Sequence, residues 1–346
     1  MHRSYHAAQI VASVACAATL FLAACSDSAV TPPSRDVASG GPSRTQIVSA
    51  NGRHEFHTKD WYQTNNANGN SHGHGGGGGG GSTGISYHGG PVLQGGTNVV
   101  AIYWSSGRIY NGGPTAPSTG AGSADNSLVG YFLNHLGGST YFNINTTYTD
   151  GSGRAIVNQV NYTSYWANDV NAPSGTQSVS DSQMLSMLAS GFSSGAIQYN
   201  SSTLYLIFTA GAVNLGGGFG TQYCAYHGYG TVNGQTVRYA AMPYDYAYPS
   251  ACTNGTAAAN GDPGADYEVN TIAHETEETT TDELLNAWYD VRGNENADKC
   301  AWNFGSTYVG AGGGVANIHV GTKDFLVQQN WVNAGSGGCA QGWPLL

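Results

Sequence analysis

Two short motifs carry the side chains best suited to chemistry. Residues 274–278 read H-E-T-E-E, and residues 294–298 read N-E-N-A-D. Residues i and i+4 share one face of a helix, so His274 and Glu278 are predicted to bind one metal ion together. Glu295 is the third predicted ligand, brought in by a later element. Glu275 points to a different side of that helix face, where it is predicted to hold a water molecule.

The predicted site fits a catalytic metal ion. Zinc in enzymes uses three protein ligands and leaves one position for water. Glu275 would take a proton from that water and pass it to the leaving group. Asp298 is predicted to orient His274 by accepting its ring N–H. Zn²⁺ is the expected ion, but two carboxylate ligands also favour the harder ions Mn²⁺ and Ca²⁺. The alternative is a helix whose acids merely face water.

The two motifs resemble those of the thermolysin-like gluzincins, which carry H-E-x-x-H followed by a downstream glutamate in N-E-x-x-x-D. Here Glu278 replaces the second histidine, and one residue is missing between Glu295 and Asp298. The resemblance implies a zincin-like domain with the site helix beneath a cleft and substrate along a sheet edge. It also implies a metal-dependent peptidase or amidase, acting on a peptide or cell-wall substrate.

A second resemblance extends over most of the chain, from about Ser86 to about Gln341. The chain is similar to the EXORDIUM / phosphate-induced protein 1 family in a series of ordered motifs: 87–93 (YHGGPVL), 102–104 (IYW), 223–227 (YCAYH), 264–266 (GAD), 272–275 (IAHE), 286–289 (NAWY), 298–300 (DKC) and 325–328 (FLVQ) with Trp331. Plant members are secreted or wall-associated, without an agreed biochemical activity. The resemblance therefore keeps open a non-enzymatic extracellular binding or signalling protein.

The N-terminus predicts export. Arg3 precedes an apolar run over residues 7–24, which is typical of a secretory signal peptide spanning residues 1–24. Its ending, Leu22-Ala23-Ala24-Cys25, resembles a bacterial lipobox and implies that Cys25 is lipidated. The chain would then be anchored in membrane lipid, at the outer membrane or cell surface. In the alternative, Cys25 is incidental and the protein is secreted.

Residues 25–84 are predicted to form a flexible tether. They are rich in Ser, Asn and Gly and include seven consecutive glycines over residues 75–81, and such a stretch cannot offset the entropy of ordering. His72 and His74, within the tether, are either loose metal ligands or plain linker residues.

Four cysteines follow the signal segment: Cys224, Cys252, Cys300 and Cys339. An even count in an exported chain predicts two disulfides, and three pairings are possible. Pairing of sequence neighbours, 224 with 252 and 300 with 339, is preferred because shorter loops cost less entropy to close. The rival interpretation, a cysteine metal site, lacks a C-x-x-C pair. His227 lies near this cysteine framework and is interpreted as a transition-state donor, as a substitute ligand or as a packed, hydrogen-bonded residue.

Composition excludes several classes of function. Only 9% of the residues are charged and the net charge is −10, so the chain is a poor nucleic-acid binder. The acids are clustered, with 11 of the 21 lying between Asp262 and Asp298. They stand among apolar residues, where an unpaired charge is costly. The sequence has no G-x-S-x-G nucleophile motif, and its glycine cluster at 216–220 lacks the lysine of a phosphate-binding loop.

Residues 85–346 are predicted to form one α+β (mixed α/β) domain with a mixed sheet, because strands and helices are interleaved. Apolar runs predict strands at 97–104, 204–209 and 237–242. Helical spacing predicts helices at 127–136, at 180–192 with Ser180 or Asp181 as cap, and at 266–279 for the site helix. A further short helix is predicted at 283–289, capped by Asp282.

Overall fold

The computed structural model describes residues 52–67 and 84–344. The predicted signal peptide and Cys25 lie outside these residues. The helices are α1 (Lys59–Ala67), α2 (Leu128–Leu136), α3 (Asp181–Ser194), α4 (Pro249–Cys252) and α5 (Pro263–Thr281). The strands are β1 (Arg53–His57), β2 (Ser86–Tyr87), β3 (Thr97–Trp104), β4 (Ser118–Ala121), β5 (Val160–Asn168), β6 (Thr203–Thr209), β7 (Tyr223–Val232), β8 (Gln235–Met242), β9 (Trp288–Tyr289), β10 (Tyr308–Val309), β11 (Val315–Ala316), β12 (Ile318–Val320), β13 (Lys323–Phe325), β14 (Asn330–Val332) and β15 (Gly338–Ala340).

One large mixed sheet organises the domain, which confirms the predicted α+β class. Its strand order is β1-β7-β8-β6-β3-β5-β4. The four central strands, β8, β6, β3 and β5, are parallel. Antiparallel strands close both sides, β4 at one edge and β7 with β1 at the other. The remaining strands form two-stranded ribbons.

Helices cover both faces of this sheet. Side chains alternate along a strand, so Val99 and Ala101 of β3 pack with α2 and α5, whereas Val100 and Ile102 pack with α3. Burial on both faces explains why the parallel strands read as continuous apolar runs. α5, the predicted site helix, therefore lies against one face of the sheet next to β7 and β8.

The predicted start of α3 is confirmed. The Ser180 side chain accepts a hydrogen bond from the backbone N–H of Gln183, and the Gln183 side chain accepts one from the backbone N–H of Ser180. This reciprocal pair satisfies two N–H groups that the first helical turn leaves without partners. The helix ends at Gly195, whose positive φ of 75° suits a residue without Cβ.

α5 is longer than predicted, and the helix predicted directly after it is absent. Residues 283–287 form a loop in which Leu285 adopts a φ of +58°. The Asp282 carboxylate accepts the backbone N–H groups of Asn286 at 2.5 Å and Ala287 at 2.7 Å. Asp282 thus stabilises a tight turn instead of capping a helix, and only Trp288 and Tyr289 of this segment belong to β9.

The predicted tether needs correction between residues 53 and 67. β1 and α1 belong to the folded domain, because β1 pairs antiparallel with β7 and Phe56 is fully buried. Arg53, His54, Glu55 and Phe56 alternate between the two faces of the sheet, which is the period expected of a half-buried strand. The other residues of the predicted tether, including His72 and His74, lie outside those that the structure describes, apart from residue 52 and residue 84 at its borders.

Both preferred disulfides are present. Cys224–Cys252 joins β7 to α4, and Cys300–Cys339 joins the loop after the second motif to β15. Each bond ties a segment near the predicted site to the rest of the domain. Within residues 52–67 and 84–344, no helix has the length and apolar character needed to span a membrane.

Candidate metal centre

A buried cluster of acids and imidazoles lies between α5, β7, β1 and the loop before Cys300. It is formed by His54, His227, His274, Glu275, Glu278, Glu295 and Asp298. Six of the seven residues are 0% exposed, and Asp298 is 5% exposed as a residue but has a fully buried side chain. The alternative in which these acids merely face water is therefore excluded.

Of the three predicted ligands, His274 and Glu278 are in direct contact, and Glu295 is linked to Glu278 through His227. Among the described residues, the ligand atoms that lie within 4.8 Å of one another in groups of three include Glu278 but neither His274 nor Glu295. His274 Nε2 lies 3.1 Å from Glu278 Oε1, as the i, i+4 spacing on α5 requires. Across the sheet, His227 Nε2 of β7 lies 3.5 Å from Glu278 Oε2 and 3.2 Å from Glu295 Oε2. His227 is thus part of the cluster.

Glu275 stands beside the predicted ligands instead of apart from them. One ligand atom each of His227, Glu275 and Glu278 lie within 4.8 Å of one another. Both carboxylate oxygens of Glu275 are buried without a hydrogen-bond partner. Such a carboxylate can accept and release a proton without first breaking another hydrogen bond.

Asp298 has a different partner from the one predicted. Its Oδ2 lies 2.5 Å from His54 Nε2, and its Oδ1 accepts the Tyr62 hydroxyl at 2.5 Å. His274 Nε2 is farther away, at 3.6 Å from Oδ1. Asp298 also donates its backbone N–H to Glu278 Oε1 at 3.0 Å. It therefore fixes Glu278 and His54 more directly than His274.

His54 is the site residue that the sequence motifs did not indicate. It lies opposite His227 in the β1–β7 ladder, with ring centroids 5.8 Å apart, and its Nδ1 is 3.5 Å from Glu295 Oε1. A second group of possible ligand atoms, within 4.8 Å of one another, comes from His54, Glu278 and Asp298. The alternation of residues 53–57 was the available signal for this strand.

Electrostatics in the cluster follow from burial and from opposite charges. Burial raises the pKa of Glu275 well above its ordinary value, and the charges of Glu278, Asp298 and Glu295 add to this. Burial alone would raise the pKa of Glu278 too, but nearby imidazoles hold it well below the usual range. For His54, carboxylates outweigh burial and raise the pKa to about 9.

The donor set fits a divalent cation. Among the described residues, every ion-pair partner of Glu278 and of Asp298 is a histidine imidazole. Within the part of the chain that the structure describes, the Glu275 oxygens have no hydrogen-bond partner, and a buried unsatisfied polar atom costs about 1–3 kcal/mol. Nitrogen and carboxylate ligands at such short separations are those that zinc binds. A cation would therefore satisfy groups that the protein alone leaves unsatisfied.

A separate pair of buried carboxyl groups lies nearer the start of α5. Glu268 Oε2 accepts the backbone N–H of Asp245 at 3.2 Å, and Thr271 donates its hydroxyl to Asp245. Burial raises the pKa of Glu268 to about 8. Burial and the charge of Glu268 raise the pKa of Asp245 well above its ordinary value. At neutral pH Glu268 is therefore largely protonated in the folded chain, whereas it is ionised in the unfolded chain.

We expect Glu268→Gln to flatten the pH dependence of stability. The folded pKa of Glu268 lies above the unfolded value of 4.5, so its contribution is greatest below pH 4.5 and is lost as the pH rises to about 8. The unfolding free energy of the variant minus that of the parent should be about 1–3 kcal/mol greater at pH 8 than at pH 5. Urea denaturation of both chains at the two pH values measures this difference. Parallel pH profiles for parent and variant would contradict it.

Comparison with known proteins identifies one family. The family model described as the phosphate-induced protein 1 conserved region matches residues 133–325. This match includes β7, α5 and the loop that carries Glu295 and Asp298, but not β1. Comparison with curated proteins and with solved structures gives no match. The matched 193 residues (133 to 325) are more than half of the 346 in the chain, and the chain therefore belongs to the phosphate-induced protein 1 family.

Proposed function

We propose that the chain is a metal-dependent hydrolase of peptide or other amide bonds. The observation that carries this proposal is the buried cluster in which Glu275 lies close to His227 and Glu278, with neither of its oxygens hydrogen-bonded to another described residue. His274, Glu278 and Glu295 would hold the metal ion, with His227 as a further nitrogen ligand.

The metal ion, when bound, would supply a Lewis acid that polarises the substrate carbonyl and acidifies a water molecule. Glu275 would accept a proton from water as the water oxygen adds to the carbonyl carbon. It would then give that proton to the nitrogen as the C–N bond breaks and the amine leaves. Asp298 would hold Glu278 through its backbone N–H, as it does in this structure.

Zinc is the proposed ion. Three imidazoles, those of His54, His227 and His274, face the cluster. Calcium prefers six to eight oxygen ligands, so imidazole ligands such as His274 and His227 disfavour it. Manganese accepts both donor types and remains the competing metal.

We also propose that the protein acts outside the cytoplasm, anchored by lipid at Cys25. Two disulfides are typical of chains that fold in oxidising compartments, and the lipobox-like sequence 22–25 supports an anchor. Metabolic labelling with a radioactive fatty acid tests this: the parent should incorporate label, and a Cys25→Ser chain should not.

A structural metal site in a non-enzymatic extracellular protein is the second candidate. The observation that favours it is the complete burial of the cluster, which leaves substrate no direct approach. In that case the ion would stabilise the junction of α5, β7 and the 290–298 loop. Glu275 separates the two candidates, because a structural ion needs its ligands but not a proton carrier.

Metal content tests the proposed ligands directly. The full chain, purified and exposed to zinc, should retain one equivalent by inductively coupled plasma mass spectrometry. Glu278→Gln should lose most of it, because Gln binds zinc weakly and Glu278 contacts both His227 and His274. Glu277→Gln is the matched control: Glu277 lies on the same turn but faces Asn145 and Asn330. Equal zinc in all three chains, or none in the parent, would contradict the proposed site.

A further inference from the structure

The cluster is closed by the segment formed by β1 and α1. This segment places His54 and Tyr62 on the two oxygens of Asp298. It also places the Phe56 ring on the His274 ring, with centroids 4.0 Å apart. Because the cluster side chains are almost wholly buried, a substrate can reach Glu275 only if something moves. The segment is attached to the body of the domain through residues 68–83, which are glycine-rich in sequence.

β1 lies where an extended peptide would bind. Among the described strands it is the last in the sheet and pairs antiparallel only with β7, with Arg53 opposite Gly228 and Phe56 opposite Ala225. If β1 left, β7 would become an open edge running past His227. Extended peptides add to open edges through main-chain hydrogen bonds, while alternate side chains enter pockets.

The pockets under β1 are specific. On the inner face, Phe56 packs between His274 and Trp302, whose ring stacks at 4.9 Å. On the outer face, the Arg53 guanidinium lies over the Tyr226 ring at 4.4 Å and 3.7 Å from Asp181. These contacts favour a peptide with an aromatic residue facing the cluster and a basic residue three positions before it.

We propose that the β7 edge is a binding site for extended peptides and that β1 occupies it as a substrate-like strand of the same chain. The partner is a polypeptide in extended conformation with a basic residue and, three positions later, an aromatic one. Cutting the connection at 68–83 would let β1 exchange with such a peptide. The strand-binding part stands on geometry alone, whereas hydrolysis of the bound peptide rests on the proposed function.

Gly228 provides a variant outside the cluster. A Cβ at this position would lie 2.8 Å from the Gly52 carbonyl oxygen and 3.1 Å from Arg53 Cα. An alanine there should weaken strand pairing without touching a cluster side chain. Gly95→Ala is the matched control, because a Cβ at Gly95 meets no atom within 4 Å.

The test uses the full chain with residues 75–81 replaced by a specific protease site, cut after folding. A fluorescent peptide copying residues 52–67 is added, and its binding is followed by anisotropy. We expect no binding before the cut and saturable binding after it. A peptide with alanine at the Phe56 position should bind at least tenfold more weakly. Gly228→Ala should weaken binding to the cut chain similarly, and Gly95→Ala should not.

The outcomes separate this inference from the proposed function. If the cut chain retains its own strand and never exchanges it, or unfolds when the strand is removed, then β1 is a permanent structural strand and the inference fails. If hydrolysis is equally fast before and after the cut, the inference fails while the proposed function stands. If the peptide binds and is never cleaved, with or without zinc, the edge site stands and the hydrolase proposal fails.

Discussion

Glu275→Gln is expected to lower kcat/KM for peptide hydrolysis by about 10²–10⁴-fold, the usual contribution of a general acid–base group. The amide of Gln fills the same space but cannot accept the proton of the attacking water. The measurement uses the chain cut between residues 67 and 84, with a fluorogenic peptide library as substrate. Because Glu275 is not one of the three proposed ligands, zinc content and melting temperature should not fall.

Glu277→Gln serves as the control for this prediction. Glu277 is two residues away on the same buried helix, and burial raises its pKa well above the ordinary value. Its replacement should therefore leave hydrolysis unchanged. Full activity of Glu275→Gln would remove the proposed proton carrier and favour a structural metal site. Loss of zinc from that variant would instead make Glu275 a ligand, in line with its closeness to His227 and Glu278.

Local spacing predicted the part of the site that lies on one helix. His274 and Glu278 meet because four residues separate them on α5, and that relation needs no knowledge of the fold. Glu295 reaches the cluster because the chain returns to it after a loop. In the sequence, only the second motif at 294–298 indicated that return. Burial of the acids was also foreseeable, since they are interspersed with apolar residues that pack on the sheet.

The contacts that were not predicted are nonlocal. His227 joins the cluster because β7 lies beside α5, and His54 because β1 pairs with β7. Neither pairing is encoded in a short motif, and the composition around residues 53–57 suggested a linker. Asp298 makes its short side-chain contact with His54, and His274, the predicted partner, lies farther from the Asp298 carboxylate.

The absent helix at 283–289 has a local cause. Its apolar residues follow helical spacing, but the Asp282 carboxylate accepts two backbone N–H groups, four and five residues later. Asp competes in this way for backbone donors and favours turns over helices. The segment then enters β9, which pairs with β2. Tertiary pairing therefore overrides a weak local preference.

Removal of the metal ion is expected to destabilise the domain strongly. At a free zinc concentration about 1,000 times Kd, binding should add about 4 kcal/mol to the unfolding free energy. For a domain of this size, that corresponds to a rise of about 8 °C in melting temperature. Differential scanning fluorimetry of the full chain, with a chelator and then with excess zinc, measures this rise. The physical reason is that the ion satisfies carboxylates and imidazoles that are otherwise buried against one another.

Neighbouring glutamates make the matched pair for this last prediction. Glu278→Gln should abolish the zinc-dependent rise, because that carboxylate contacts two imidazoles of the cluster. Glu277→Gln should keep the rise and increase the zinc-free melting temperature at pH 8. The folded pKa of Glu277 lies above the unfolded value of 4.5. Above pH 4.5 folding therefore requires Glu277 to take up a proton, which lowers the unfolding free energy, and Gln removes that requirement. An identical zinc response in both variants would place the ion elsewhere.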